Sequence, residues 1–129
     1  MKINITAGDC LNSILTTKYP SKTFIPFREA MIEGEYHYPP FSDSFLRERA
    51  ATHHSTLDEY KDYMKGFLSF LSHIEDYDEI VLWFGNEPFC NANVDVILKT
   101  LKERNYTKRI MLNTVIEETG EIIQNIIIQ

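Results

Sequence analysis

Three short polar segments in this sequence each follow an apolar run: Gly8-Asp9, Arg28-Glu29 and Asn86-Glu87. Carboxylates placed so can exchange protons with a bound molecule, which makes Asp9, Glu29 and Glu87 the candidate catalytic acids or bases. Arginine presents a planar fork to a phosphate or carboxylate, so Arg28, Arg47 and Arg49 are candidate ligands of an anion. Gly8 and Asn86 join them as binding positions, because free backbone N–H groups gather where a helix starts. Arg47 and Arg49 lie two residues apart and do not share one helical face, so one of them is expected to enter the site. His53, on the same predicted helix, can close over it.

Each of these residues also has a plainer role. Asp9 is suited to capping a helix, and Gly8 to supplying a positive φ. Arg28 and Glu29 can pair at the surface, worth about 0–1 kcal/mol. Glu87 can cap a helix that begins at Pro88. Cys10 and Cys90 each begin a helix after a strand, where the helix N-terminus would lower a thiol's pKa; a small buried apolar role competes. The histidines are His37, His53, His54 and His73, without the spacing of three or four that metal ligands on one helix need. There is no C-x-x-C, no G-x-x-x-x-G-K and no G-x-G-x-x-G. No metal site is therefore expected, a dinucleotide or P-loop site is unsupported, and the cofactor is unknown.

The elements that must position these residues are legible from periodicity. Ile3 and Ile5 alternate with polar neighbours and mark a first strand, followed by a helix with Leu11, Ile14 and Leu15 on its apolar face. Thr23–Phe27 reads as a second strand, and Ala30–Ser42 as an irregular loop whose Tyr36, Tyr38 and Phe41 pack down. Ser42 or Ser44 opens a helix running to about His54. Thr56 and Glu59 form a capping box before one long apolar stripe, Leu57, Tyr60, Met64, Phe67, Leu68, Leu71 and Ile74, widened by Tyr63 and Phe70. Ile80-Val81-Leu82-Trp83-Phe84 is continuously apolar, as a strand covered on both faces would be. Val94, Ile97, Leu98 and Leu101 mark another helix, and Ile110–Ile116 and Ile122–Ile128 a closing hairpin. The acidic run Glu75, Asp76, Asp78 and Glu79 reads as a solvated stretch at the far end of the sheet.

This order predicts one α/β domain spanning 1–129: a three-layer open sheet, mostly parallel, Rossmann-like or flavodoxin-like, with a C-terminal antiparallel edge hairpin. In such sheets ligands bind beyond the carboxyl ends of the strands, where all three polar segments fall.

Composition narrows the function. The 129 residues carry 13 basic and 19 acidic side chains, a net charge of −6, which argues against nucleic acid. Two cysteines are too few for a disulfide scaffold, and no stretch resembles a signal peptide or a membrane span. A cytoplasmic protein is the expectation.

In order along the chain, Gly8-Asp9, Pro26-Phe27-Arg28-Glu29 with Gly34, Leu46-Arg47-Glu48-Arg49-Ala50, and Val81-Leu82-Trp83-Phe84 with Glu87 and Phe89 resemble a bacterial family known as domain of unknown function 1835. The similarity runs from Ile3 to about Leu101. It departs at Cys10, where the family has Ser, and at Glu87-Pro88 and Asn91, where it has an Asp-containing stretch and Gln. The resemblance implies the N-terminal domain of longer members and assigns no activity.

Two functional expectations follow. The first is a domain that binds or processes a small anionic molecule, held by Arg28, by Arg47 or Arg49, and by helix N-termini. The second is a non-catalytic regulatory or interaction module that uses the isoleucine-rich last strand, which is apolar on both faces and favours a homodimer.

Overall fold

The computed structural model describes residues 1–129. The chain runs through β1 (Lys2–Thr6), α1 (Asp9–Lys18), β2 (Phe24–Pro26), α2 (Asp43–Thr52), α3 (Leu57–Tyr63), α4 (Lys65–Ser72), a 3-10 turn (Ile74–Asp76), β3 (Glu79–Phe84), α5 (Pro88–Glu103), β4 (Arg109–Ile116) and β5 (Glu121–Ile127). The five strands form one sheet in the order β2-β1-β3-β4-β5. All pairs are parallel except the β4–β5 hairpin. The order reverses between β1 and β3, so the crevice beyond their carboxyl ends is the place where this topology accepts ligands.

The two faces are covered unequally. Ile3, Ile5, Ile80, Leu82, Phe84 and Ile110 pack beneath the helices that follow β2 and β3, in a core that includes Phe45, Tyr60, Phe67, Phe70, Val94 and Ile97. The other face carries α1 alone, whose Leu11 and Leu15 meet Val81, Trp83 and Val115. β3 is central and buried as expected, with Trp83 only 3% exposed. Its indole ring lies 5.6 Å from Tyr19 and 5.7 Å from Phe24, and its Nε1–H donates to Asn4 Oδ1 at 2.9 Å. That bond explains why Asn4, a polar residue of β1, is buried.

Local signals and structure agree at several ends. Ser42 caps α2 by accepting from the Phe45 N–H, and Thr56 and Glu59 make the reciprocal capping box at α3. Pro88 occupies the first turn of α5, where its missing N–H costs nothing.

The apolar stripe from Leu57 to Ile74 does not form one helix. It breaks at Met64 into α3 and α4 and ends in the 3-10 turn. A side chain from elsewhere in the fold occupies the break: Arg28 donates to the Tyr63 carbonyl, which a continuing helix would use internally. Tyr63 consequently faces outward, 46% exposed, while Phe70 is buried.

Glu75 and Asp76 of the acidic run before β3 are exposed as a solvated stretch would be, whereas Asp78 and Glu79 are paired with cations. Asp78 meets the N-terminal ammonium at 2.6 Å, and Glu79 lies 3.4 Å from Lys2 and 3.1 Å from Arg109. No helix is long and apolar enough to cross a membrane.

Candidate functional site

Gly8 ends the β1 turn with φ 108°, a left-handed conformation that favours glycine, and it is itself the N-cap of α1. Asp9 is the first residue of the helix and caps nothing. Its carboxylate instead accepts from Arg28 Nε at 2.8 Å. The expectation of a capping Asp9 is corrected: no side chain caps the first turn of α1, and its N–H groups open onto the end of the sheet. Arg28 is fixed on three sides, by Asp9, by the Tyr63 carbonyl at 3.2 Å and by the Tyr63 ring, 5.5 Å from its guanidinium carbon.

Glu29 does not pair with Arg28 at the surface. It turns inward, and its side chain is completely buried. Arg49, 1% exposed, grips it through two hydrogen bonds, Nε to Oε2 at 2.9 Å and an η nitrogen to Oε1 at 2.7 Å. The Tyr60 hydroxyl donates to Oε2 at 2.7 Å, the Ala30 N–H to Oε1 at 2.9 Å, and His53 Nε2 lies 2.7 Å from Oε1. Burial alone would raise this carboxyl's pKa, but the hydrogen bonds, those of Arg49 and Tyr60 foremost, hold it down at about 2. Burial and then the Glu29 charge push the Tyr60 phenol up.

Glu29 is thus occupied on both oxygens and offers no proton chemistry to a ligand; it positions its neighbours. Arg49 serves Glu29 and the Glu33 and Ala30 carbonyls, and so does not enter the crevice. Arg47 is exposed on α2 and lines no cavity with the other candidates. The expectation that one of this pair enters the site is not met by either.

A groove of about 240 Å³ lies at this end of the sheet, lined by Gly8, Arg28, Glu29, His53, Tyr63 and Phe89 among others. Of the sequence candidates, Gly8, Arg28 and Glu29 meet there, and Asp9 joins through Arg28. Asn86 and Glu87 are exposed at the end of β3. Glu87 converges not on the groove but on Cys90 and Glu117, with the three donor atoms within 4.8 Å of one another. These are the side chains whose donors converge as a cation's ligands would. Burial, then the Glu117 charge, pushes the Cys90 thiol up to about 12. The lowered thiol pKa expected from its place at the start of α5 is therefore reversed. Burial and Glu87 raise Glu117 in turn. Cys10 is exposed, and neither cysteine is in a disulfide.

Two residues that sequence reasoning passed over build the site. Tyr60 reads as one more apolar stripe position, and only the fold shows its hydroxyl on Glu29. Asn93 sits on the apolar face of α5 between Cys90 and Val94, buried to 1%. It donates to the Glu29 carbonyl at 2.8 Å and accepts the Met31 N–H at 2.9 Å, clamping the backbone that carries Arg28 and Glu29. A polar residue at an apolar stripe position was its available signal.

The buried carboxylate makes a prediction about acid. Its folded-state pKa is depressed, so its contribution to stability is present above its ordinary pKa of 4.5 and is lost as pH falls towards about 2. The loss expected from Glu29 is about 3 kcal/mol, at 1.36 kcal/mol for each pKa unit. Urea unfolding between pH 5 and pH 2.5 checks this against Glu29→Gln, a variant less stable at neutral pH that should lose less on acidification. Parallel curves for the two chains would refute the assignment.

No family model, curated protein or solved structure matches this chain.

Proposed function

We propose that this domain binds a small anionic ligand, bearing phosphate or carboxylate, at the carboxyl ends of its parallel strands. The supporting observation is the shared groove at the β1/β3 switch point, where Arg28 and the uncapped start of α1 sit with His53. Glu29 carries its negative charge into this region, but Arg49 neutralises it. Asp9 holds Arg28 through an exposed ion pair, an interaction weak enough for a bound anion to displace. Asp9 and Glu87, both exposed, are the candidate carboxylates left to exchange protons if the ligand is also transformed. Membership of the family called domain of unknown function 1835 belongs to the same proposal and supplies no reaction.

The test is a thermal-shift screen with phosphates, sugar phosphates, nucleotides and carboxylates. A specific ligand at a hundred times its Kd should stabilise the fold by about 2.7 kcal/mol. Arg28→Ala is expected to weaken that ligand at least about tenfold, at roughly 1.4 kcal/mol or more for a charge-assisted contact. Shifts unchanged in Arg28→Ala would place the ligand elsewhere.

A second reading, an interaction module, is supported by β5. Every residue of this strand is exposed, including Ile122, Ile123, Ile126 and Ile127 at 39–59%. No helix covers either of its faces, and its outer edge is unpaired. The partner it favours is a second copy of the same strand.

A further inference from the structure

We propose that His53 is a proton-linked ligand of the groove, binding the anion as an imidazolium, so that the anion enters together with a proton. This rests on the anion-binding reading above and adds to it the group that selects for a doubly charged, phosphate-type ligand.

Glu29 fixes the imidazole. Its ionised carboxylate can only accept, so the 2.7 Å contact to His53 Nε2 requires a proton on that nitrogen in both charge states of the ring. Nδ1 has no partner in the chain, although the side chain is 29% exposed and lines the groove beside Arg28. When the ring is neutral, Nδ1 carries a lone pair and opposes an anionic oxygen. When the ring is charged, Nδ1–H becomes a second charge-assisted donor on a ring that lines the groove together with Arg28.

The surroundings accept that charge. His53 is the C-cap of α2, where the helix dipole favours a cation. The charged and titratable groups facing the ring are Glu29 and Arg28 from the β2–α2 segment, Arg49 from α2, and Glu59, Tyr60 and Tyr63 from α3. Arg49 already compensates Glu29, and the Glu59 carboxylate is engaged by the Thr56 N–H, so neither carboxylate is paired with the imidazolium alone. A bound anion would supply that counter-charge. Linkage then requires that binding raises the ring's proton affinity as much as protonation raises anion affinity.

Sulfate is the probe, because it is a dianion throughout the working range and does not titrate as phosphate does. Calorimetric titrations at constant ionic strength from pH 8 to pH 5.5 are expected to show affinity rising about tenfold, the equivalent of one pKa unit of coupling. In two buffers of different ionisation enthalpy, the unmodified chain should take up a substantial fraction of a proton per sulfate near neutral pH. This second measurement does not depend on any variant folding. His53→Gln keeps an amide N–H for Glu29 and should bind sulfate weakly with no pH dependence. It also separates His53 from Glu117, a carboxyl whose pKa burial raises at the same end of the sheet. Binding without proton uptake, or with equal pH dependence in His53→Gln, overturns the role of His53 and leaves the anion site standing. No sulfate, phosphate or acetate binding at any pH overturns both.

Discussion

Replacing Arg49 with alanine is expected to destabilise the domain by about 3–5 kcal/mol, the cost of leaving a buried charge without its partner. Glu29 would keep the Tyr60 hydroxyl, the Ala30 N–H and His53, but lose both guanidinium bonds and the only full positive charge that compensates it. A further consequence is local. Arg49 also holds the Glu33 and Ala30 carbonyls, and Gly34 turns beside it with φ 71°, where an added Cβ would lie 3.3 Å from the guanidinium and 2.8 Å from Thr52 Cγ2. The β2–α2 segment is therefore folded around Arg49, and the groove should loosen with it. Since small domains are stable by roughly 5–15 kcal/mol, the variant should fold marginally. Arg49→Lys retains a charge but not the planar fork, and should fall between the two. Removing both charges, as Glu29→Gln with Arg49→Met, should recover much of the loss, because neither partner is then stranded. Urea denaturation of the four chains is the measurement. A cost below about 1 kcal/mol for Arg49→Ala would mean that the pair is not a mainstay of the fold.

The second large effect concerns β5. Unprotected edges are ordinarily blunted by lysine, by proline or by covering structure. From Glu121 to Gln129 there is no lysine and no proline, and the only charged residue is Glu121. One protective feature exists, a register shift where Thr114 and Val115 meet the strand, with Ile123 as the extra residue. Antiparallel pairing of two copies centred near Asn125 would set Glu121 against Gln129, with no like charges opposed. We expect a dimer by sedimentation at micromolar concentration, with a two-fold axis across β5 and a continuous ten-stranded sheet. Ile126→Lys should yield a monomer and weaken association by at least about tenfold, since two buried lysines would face one interface. A monomeric parent chain at that concentration would remove the dimer. A dimer unaffected by the substitution would place the contact on another surface.

Local pattern was sufficient for much of this protein. Ile3 and Ile5, the run Ile80–Phe84, the capping residues Ser42, Thr56 and Glu59, and the hairpin after Ile110 depend on contacts close in sequence or on burial of a whole element. Periodicity and turn chemistry report these directly. The placement of Gly8 and Arg28 beyond strand ends followed from the same reading, because a parallel sheet puts all such ends on one side. What only the tertiary structure decided is where each polar side chain goes. Arg28 and Glu29 are adjacent, yet one turns out to Asp9 and the other in to Arg49, because only the side that Glu29 faces is core. Arg47 and Arg49 are indistinguishable in sequence, and their fates separate because α2 packs one face against a buried carboxylate from twenty residues earlier. The break between α3 and α4 likewise needs a guanidinium that is remote in sequence to take the Tyr63 carbonyl. Long-range partners of this kind leave no periodic trace, so the chain's own sequence marks the strand ends at which chemistry can occur, and packing selects the residues that face it.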